Sequence, residues 1–124
     1  MIDVVAAVIK KNNKYFIAQR NRNKHFAYHY EFPGGKVDNN ENFENALKRE
    51  IKEELSINIK IIKKIASEKY NDEMIDIEVH YFLCEVQNDK IILSEHEEMK
   101  WVQKDDIIKY KLAPGDAKII KYLE

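Results

Sequence analysis

The chain has 124 residues, enough for one ordinary domain and too few for two. Hydrophobic residues make up 44% of it and charged residues 35%, a composition that supports one core and excludes a disordered protein. Lys and Arg number 21 against 22 Asp and Glu, and this net charge of -1 argues against a nucleic-acid coat protein. We therefore expect no stable nucleic-acid complex, although a small phosphorylated ligand remains compatible with the charge.

The cysteine content and the N-terminus favour a reducing compartment. Cys84 is the one cysteine in the sequence, so an internal disulfide cannot form. No apolar run reaches the length of a transmembrane helix, and residues 1–5 lack the basic start of a signal peptide. These features predict a cytoplasmic protein without a membrane partner, in which Cys84 is a buried structural thiol.

The N-terminal third of the chain predicts strands and turns. Residues 3–10 are β-branched and small apolar residues typical of a strand, and the polar turn 11–14 joins them to a second strand over 15–20. Residues 21–29 are polar and irregular and predict a loop. At 33–35 the sequence Pro-Gly-Gly predicts a sharp bend.

A helix is predicted over residues 42–55. Asn42 is suited to the N-cap position, where a short polar side chain accepts a hydrogen bond from the first turn. Leu47, Ile51 and Leu55 recur every four residues and form an apolar stripe that can face a core.

The C-terminal half predicts further strands and a last helix. Residues 58–66 and 75–86 are strand-like, and 91–93 and 99–102 are candidates for short strands. Residues 114–123 predict a helix that begins at a proline. Strands outnumber helices, which indicates a mixed α/β or α+β sandwich around one core.

Three acidic residues of the predicted central helix share one face. Glu50, Glu53 and Glu54 are three and four positions apart, so their carboxylates lie close together and repel each other. A divalent cation would offset that repulsion, and oxygen ligands suit Mg²⁺ or, as a substitute, Mn²⁺. A solvated acidic helix face is the alternative interpretation of the same pattern. The context favours the metal, because Arg49 adjoins the carboxylates and a Gly-Gly pair precedes them.

The stretch from 35 to 57 resembles the Nudix box, G-x5-E-x7-R-E-U-x-E-E-x-G-U, in which U is a bulky aliphatic residue. Every fixed position matches except the last glycine, where Ser56 stands. Residues 31–37, with the sequence EFPGGKV, and 112–116, with LAPGD, also resemble MutT-like members of this family. The resemblance implies an α/β/α sandwich with a mixed sheet, formed by a single domain over 1–124.

The resemblance also implies a metal site and its catalytic groups. Glu53 and Glu54 would ligate the metal together with the backbone carbonyl of Gly34. Glu50 would be a further ligand or would orient the attacking water. Glu95 matches a downstream glutamate that contributes to metal binding or water activation, although two neighbouring glutamates and a solvated loop are alternatives.

Residues around the carboxylates would support them. By resemblance, Arg49 orients the glutamates without touching the metal, and Glu41 braces the loop–helix–loop from within. Ser56 takes the place of a glycine in a left-handed conformation, at a cost of about 1 kcal/mol if the backbone is kept. Asn40 stands where many relatives carry glycine, and asparagine tolerates a positive φ.

Three polar residues and three aromatic residues are candidates for substrate binding. Arg20 aligns with a position near the phosphates or the base, and Lys36 is placed to meet a phosphate unless it is simply solvated. Asp116 aligns with an Asn or Asp that contacts the base edge, and capping of the last helix is the alternative role. Aromatic side chains able to stack on a base, or else to pack in the core or on the surface, are Tyr28, Phe32 and Tyr81.

The implied activity is Mg²⁺-dependent hydrolysis of a nucleoside triphosphate to the monophosphate and pyrophosphate, with an oxidised or modified nucleotide such as 8-oxo-dGTP or a cytidine nucleotide as candidates. Another nucleoside diphosphate derivative (ADP-ribose, a dinucleoside polyphosphate or capped RNA) and a non-catalytic nucleotide sensor are the alternatives. We expect a monomer or a homodimer. No role is predicted for the scattered histidines, His25, His29, His80 and His96.

Overall fold

The computed structural model describes residues 1–87 and 90–124. Its strands are β1 (Ile2–Lys11), β2 (Lys14–Gln19), β3 (Tyr30–Glu31), β4 (Gly34–Lys36), β5 (Ile59–Asn71), β6 (Asp76–Val86) and β7 (Glu98–Val102). Its helices are α1 (Phe43–Leu55), α2 (Lys104–Ile107) and α3 (Asp116–Ile119), the last followed by a 3₁₀ helix (Ile120–Tyr122). Within the described ranges no helix has the length and hydropathy needed to cross a bilayer.

Strand β1 is the centre of a mixed seven-stranded sheet. The main path runs β3-β2-β1-β6-β5, while β4 pairs with β1 and β7 pairs with β2. The β1–β6 pair is parallel, with Val4 opposite Val79, and the other pairs are antiparallel. The β1–β2 turn is tight because Asn12 and Asn13 both take positive φ angles, of 52° and 63°. The predicted hairpin is confirmed.

Hydrophobic clusters fill both faces of the sheet. Alternation along β1 sends Val5, Ala7 and Ile9 to the cluster beneath α1, and Ala6 and Val8 to the cluster beneath α2 and α3. The architecture is therefore an α/β/α sandwich, as the resemblance implied. Cys84 is fully buried in the first cluster, and burial raises the pKa of its thiol to about 12, which confirms a structural thiol.

Helix α1 forms as its sequence predicts. The side chain of Asn42 accepts a 2.8 Å hydrogen bond from the backbone N–H of Asn45 and so caps the first turn. Leu47, Ile51 and Leu55 are fully buried against the sheet. The helix ends at Ser56, which adopts the left-handed conformation with φ of 58°, so the chain keeps the backbone of the missing glycine.

The predictions for the C-terminal half were partly wrong. Residues 91–93 form no strand, because the N–H of Ile92 bonds to the carbonyl of Leu55 and the neighbouring apolar side chains pack on the α1 cluster. The predicted strand 58–66 continues to Asn71, since it pairs with β6 along its length except at two register shifts, at Ile61/Lys63 and Lys64/Ala66. The predicted helix 114–123 is shorter and changes to 3₁₀ geometry at Ile120.

The glycine pair before α1 lies in a strand and does not form the predicted bend. Gly34 and Gly35 lie in β4, opposite Ala6 and Val5 of β1, and neither takes a positive φ. A Cβ on Gly34 would lie 1.8 Å from the carbonyl oxygen of Val5. Glycine is therefore required for the close approach of β4 to β1 rather than for a turn.

Candidate active site

A cavity of about 590 Å³ opens between α1, β1, β4, the 21–29 loop and the β5–β6 hairpin. Nine of the ten residues predicted for the site line this cavity, and they are Arg20, Phe32, Gly34, Lys36, Glu50, Glu53, Glu54, Glu95 and Asp116. The tenth, Arg49, is not part of the lining and acts on the residues that are. The fold thus brings together positions that are up to 96 residues apart in the sequence.

Arg49 bonds to several groups in α1 and in the loop that precedes it. Its guanidinium donates to both carboxylate oxygens of Glu41, at 2.7 and 2.9 Å, and to Glu50 at 2.8 Å. It also donates to the carbonyl of Lys36 at 3.1 Å. These bonds lower the pKa of Glu41 to about 2, with the Arg49 hydrogen bond as the largest cause. The bidentate contact with Glu41 fixes the loop before α1, and the bond to Glu50 fixes that side chain.

Glu54 is a buried carboxylate with one oxygen unpartnered among the described residues. Its side chain is 8% exposed, and Oε1 has no hydrogen-bond partner among the residues that the structure describes. Burial, followed by the charges of Glu31, Glu50 and Glu95, raises its pKa to about 9. Burial also raises the pKa of Glu50. An unsatisfied buried oxygen amid other carboxylates is the environment that a bound divalent cation would stabilise, so these residues fit a Mg²⁺ site.

Glycine is needed beside Glu50 as well. A Cβ on Gly35 would lie 2.4 Å from the carboxyl group of Glu50, and the nearest atoms all belong to that side chain. The backbone of β4 therefore passes directly under one carboxylate of the group. Lys36, the next residue, is exposed at the rim of the cavity.

Only one of the three glutamates between β6 and β7 faces the cavity among the described residues. Glu95 lines it and lies 3.5 Å from the ammonium group of Lys24. Glu97 accepts instead from the N–H of Arg22, and Glu98 bonds to the hydroxyl of Tyr30. Glu95 is therefore the one of these three neighbouring carboxylates that lines the cavity.

Asp116 lies at the buried floor of the cavity. Its two oxygens accept from the hydroxyl of Tyr81 at 2.5 Å and from the N–H of Phe32 at 2.9 Å. Burial raises its pKa to about 7. The capping role considered for Asp116 is wrong, because these bonds reach β6 and the 32–33 segment instead of the helix start. Stacking of Tyr81 on a base is also excluded, since the ring is fully buried.

Glu31, His25 and His96 are among the cavity residues that sequence reasoning missed. Glu31 accepts from Arg20 at 2.5 Å and contacts Nε2 of His96 at 2.9 Å, so one carboxylate joins the two. His25 and His96 also line the cavity, and no role was predicted for either of them. Glu31 adjoins the Pro-Gly-Gly sequence, which was the available signal, whereas nothing in the spacing of His96 indicated it.

A second acidic group lies away from the carboxylates of α1. Asp3, Glu78 and His80 bring three potential ligand atoms within 4.8 Å of one another. The buried His80 is already hydrogen-bonded, with Nε2 3.0 Å from Asp3 and Nδ1 3.0 Å from Lys64. Its ring packs on Phe43 at 4.2 Å. These contacts account for the cluster as a hydrogen-bonded network joining β1, β5 and β6 to the start of α1.

Comparison with known proteins gives one consistent family. The family model of the NUDIX domain matches residues 1–123. The CTP pyrophosphohydrolase of Escherichia coli K12 is 32% identical over 121 residues, which cover 98% of this chain and 90% of that protein. The 8-oxo-dGTP diphosphatase of Buchnera aphidicola subsp. Schizaphis graminum is 31% identical over 122 residues, or 98% of this chain and 92% of the other.

Solved structures agree with the fold. The E. coli ORF135 protein has a TM-score of 0.84 at 32% identity, covering 98% of this chain and 87% of its own. A MutT NUDIX hydrolase from Burkholderia pseudomallei has a TM-score of 0.90 at 23% identity, covering 99% and 98%. The second likeness supports the sandwich architecture alone.

Proposed function

The chain belongs to the Nudix family of hydrolases, and on this basis we propose that it splits a nucleoside triphosphate into the monophosphate and pyrophosphate. Two relatives that match nearly the whole chain are named for CTP and for 8-oxo-dGTP, which supports a small nucleotide as substrate. The observation that carries the proposal is the buried carboxylate of Glu54 beside Glu50, in a cavity of nucleotide size. Its Oε1 has no hydrogen-bond partner among the described residues.

The carboxylate group is the proposed site of Mg²⁺, with Mn²⁺ as a substitute. Glu50, Glu53, Glu54 and Glu95 would hold the ion together with the carbonyl of Gly34. Bound there, Mg²⁺ supplies neutralisation of the phosphate charge and a lowered pKa of bound water. The side chains of the protein then have to orient the phosphates and take up the proton of the attacking water.

In our proposal, one of these glutamate carboxylates takes up the proton of the attacking water. Glu50 is held by Arg49, which leaves its second oxygen for a water molecule, and Glu95 is half-exposed at the cavity. Arg20, Lys24 and Lys36 add positive charge to the same cavity and are suited to phosphate oxygens. Arg20 is the most firmly held of the three, because Glu31 and the carbonyl of His25 both accept from it.

The floor of the cavity is the proposed contact for the nucleobase. Asp116 and the backbone near Phe32 present polar groups in an otherwise apolar environment. With a pKa near 7, the Asp116 carboxyl can act as donor or acceptor towards a purine or cytosine edge at neutral pH. We further propose that residues 1–124 act as one domain, since both core clusters share β1, and that the protein works on the cytoplasmic nucleotide pool.

A hydrolysis screen tests this proposal. Purified protein with Mg²⁺ is incubated with canonical and modified nucleoside triphosphates, ADP-ribose and dinucleoside polyphosphates, and the products are separated by chromatography. We expect a monophosphate and pyrophosphate from a triphosphate. Glu53→Gln should reduce turnover to the assay background with the fold intact, whereas Glu44→Gln, an exposed residue in the first turn of the same helix, should leave it unchanged.

Other outcomes would revise the proposal in defined ways. Cleavage of ADP-ribose or a dinucleoside polyphosphate alone would keep the metal site and overturn the choice of substrate. Tight nucleotide binding without turnover would indicate a sensor. Full activity of Glu53→Gln would contradict the assignment of the metal ligands.

A further inference from the structure

The 21–29 loop is fastened to the turn between β5 and β6 by one polar contact. Nε2 of His25 lies 2.9 Å from Oδ2 of Asp72, a residue 47 positions further along the chain. Beside this pair, the rings of Phe26 and Tyr70 meet edge to face with centroids 5.7 Å apart. We call the His25–Asp72 pair the clasp, because it joins two walls of the cavity by a polar contact.

Asp72 is a firm attachment point for the loop. Its Oδ1 accepts from the backbone N–H groups of Met74 and Ile75, at 2.7 and 2.9 Å, and closes the hairpin turn. Its Oδ2 accepts from the hydroxyl of Tyr70 at 2.9 Å as well as contacting His25. The carboxylate thus orients both the turn and the Tyr70 ring, and His25 docks onto a structure that is already ordered.

The loop that the clasp holds is conformationally strained. Phe26 and Tyr28 have φ angles of 58° and 65°, in a region that costs a residue with a side chain about 1–2 kcal/mol. Such a backbone persists where surrounding contacts over-determine it. Those contacts are the clasp at one side and, at the other, the 2.7 Å bond from Nε of Arg20 to the carbonyl of His25.

Tyr70 lines a part of the cavity remote from Glu50, whereas the 21–29 loop also reaches the carboxylates through Lys24, which lies 3.5 Å from Glu95. Across the sheet the order is β4, β1, β6 and β5, with Gly35 of β4 beside Glu50 and Tyr70 on β5. At about 4.8 Å per strand, Tyr70 lies roughly 14 Å from the β4 strand. Residues lining the cavity on this side are aromatic or aliphatic, namely Phe26, Tyr70, Ile75, Ile77 and Val79.

We propose that the His25–Asp72 clasp sets nucleobase affinity, by holding Phe26 and Tyr70 together as an aromatic wall against the base. The inference rests on the proposed function in taking a nucleotide as the ligand. The position of Tyr70 favours the base over the phosphates, because the phosphates must lie at the carboxylates. His25 and Asp72 are positioning residues in this proposal, and Phe26 and Tyr70 make the contact with the ligand.

Equilibrium binding separates this role from catalysis. Metal-free protein is titrated with dGMP, 8-oxo-dGMP and CMP by calorimetry, and Mg²⁺-loaded protein is titrated with inorganic pyrophosphate. His25→Ala and Asp72→Asn should each weaken the best monophosphate about tenfold and leave pyrophosphate unchanged. His25→Gln, which keeps a donor towards Asp72, should restore most of the affinity.

The matched control is Asp76→Asn, four positions after Asp72, since the Asp76 carboxylate is exposed and contacts only the N-terminal amine among described groups. The double variant His25→Ala/Asp72→Asn should lose no more affinity than either single variant, because both remove the same contact. In steady state we expect a raised KM with kcat within about twofold of wild type.

Several results would overturn the clasp proposal. These are unchanged monophosphate affinity in the variants, additive losses in the double variant, an equal loss of pyrophosphate binding, or a wild-type protein that binds no monophosphate. The two proposals can fail separately. Wild-type turnover with clasp variants that behave normally would remove this inference alone, whereas clasp-dependent binding without turnover would remove the hydrolase proposal alone.

Discussion

The hydroxyl of Tyr81 donates a 2.5 Å hydrogen bond to Oδ1 of Asp116, and the two side chains are 0% and 5% exposed. Asp116 thereby becomes a buried acid at the floor of a ligand cavity, with its second oxygen bonded to the N–H of Phe32. Burial favours the neutral form of the carboxyl group and raises its pKa from 3.8 to about 7.

This shift predicts a pH-dependent contribution of Asp116 to stability. Between about pH 4 and 7 the folded protein keeps a proton that the unfolded chain has released, so the free energy of unfolding falls as the pH rises through this window. Above pH 7 the contribution levels off. Urea unfolding from pH 4.5 to 8 should show this slope in the wild type and a smaller slope in Asp116→Asn, and parallel curves would contradict the assignment.

Metal binding should release protons from the site. Glu54 has a pKa of about 9 without metal and must ionise to ligate Mg²⁺, so affinity should weaken as the pH falls below 9. Calorimetry at pH 7 in two buffers of different ionisation enthalpy should reveal about one proton released per Mg²⁺. Glu54→Gln should abolish both the release and the rise in Tm on adding Mg²⁺, and EDTA should reverse that rise in the wild type. Buffer-independent heats would count against Glu54 as a ligand.

The two glycines of β4 should differ sharply when replaced by alanine. Gly34→Ala places a Cβ against the backbone of Val5 and Ala6, so the strands must separate, and we expect a loss of about 2–3 kcal/mol in unfolding free energy. Gly35→Ala meets only the flexible Glu50 side chain, so stability should change little while kcat/KM falls. Urea titrations and steady-state kinetics on both variants check this, and equal stability losses would show that the contacts are misassigned.

Ser56→Gly should stabilise the protein. Ser56 is exposed and occupies the left-handed conformation, which costs a residue with a Cβ about 1–2 kcal/mol. Glycine avoids this cost, but it loses about 0.5–1 kcal/mol more in chain entropy on folding. The expected gain in unfolding free energy is about 0.5 kcal/mol, with unchanged activity. Ser56→Ala is the comparison, since it keeps the Cβ and should show no gain. A destabilised Ser56→Gly variant would contradict the interpretation.

The central helix and its carboxylates were predictable from sequence because their signals are local. The N-cap at Asn42 and the apolar spacing through Leu55 lie within the element that they specify. The Nudix box places Arg49 and the glutamates on the same helix, so the fold adds little to their mutual placement.

Residues that depend on long-range contacts were not predictable in the same way. His96 enters the cavity through Glu31, 65 positions away, and Asp116 bonds to partners 84 and 35 positions away. The apolar 91–93 segment resembles a strand locally. Its residue Ile92, however, donates its backbone N–H to the carbonyl of Leu55 at the end of α1. The glycine pair was assigned to a turn because composition does not show that β1 passes within contact of β4.

The parallel pairing of β1 with β6 has a consequence for the order of events during synthesis. Ile2 pairs with Ile77 and Val4 with Val79, so β1 must wait for the synthesis of 75 further residues (77 − 2) before its partner exists. Such non-local pairing closes late and slows folding. A nascent chain that ends before β6 already contains every residue from 35 to 57, yet it lacks the strand that supports β1 and, through β1, the glycines beneath Glu50. The carboxylate site should therefore be completed only after β6 has been made, however early the motif itself has left the ribosome.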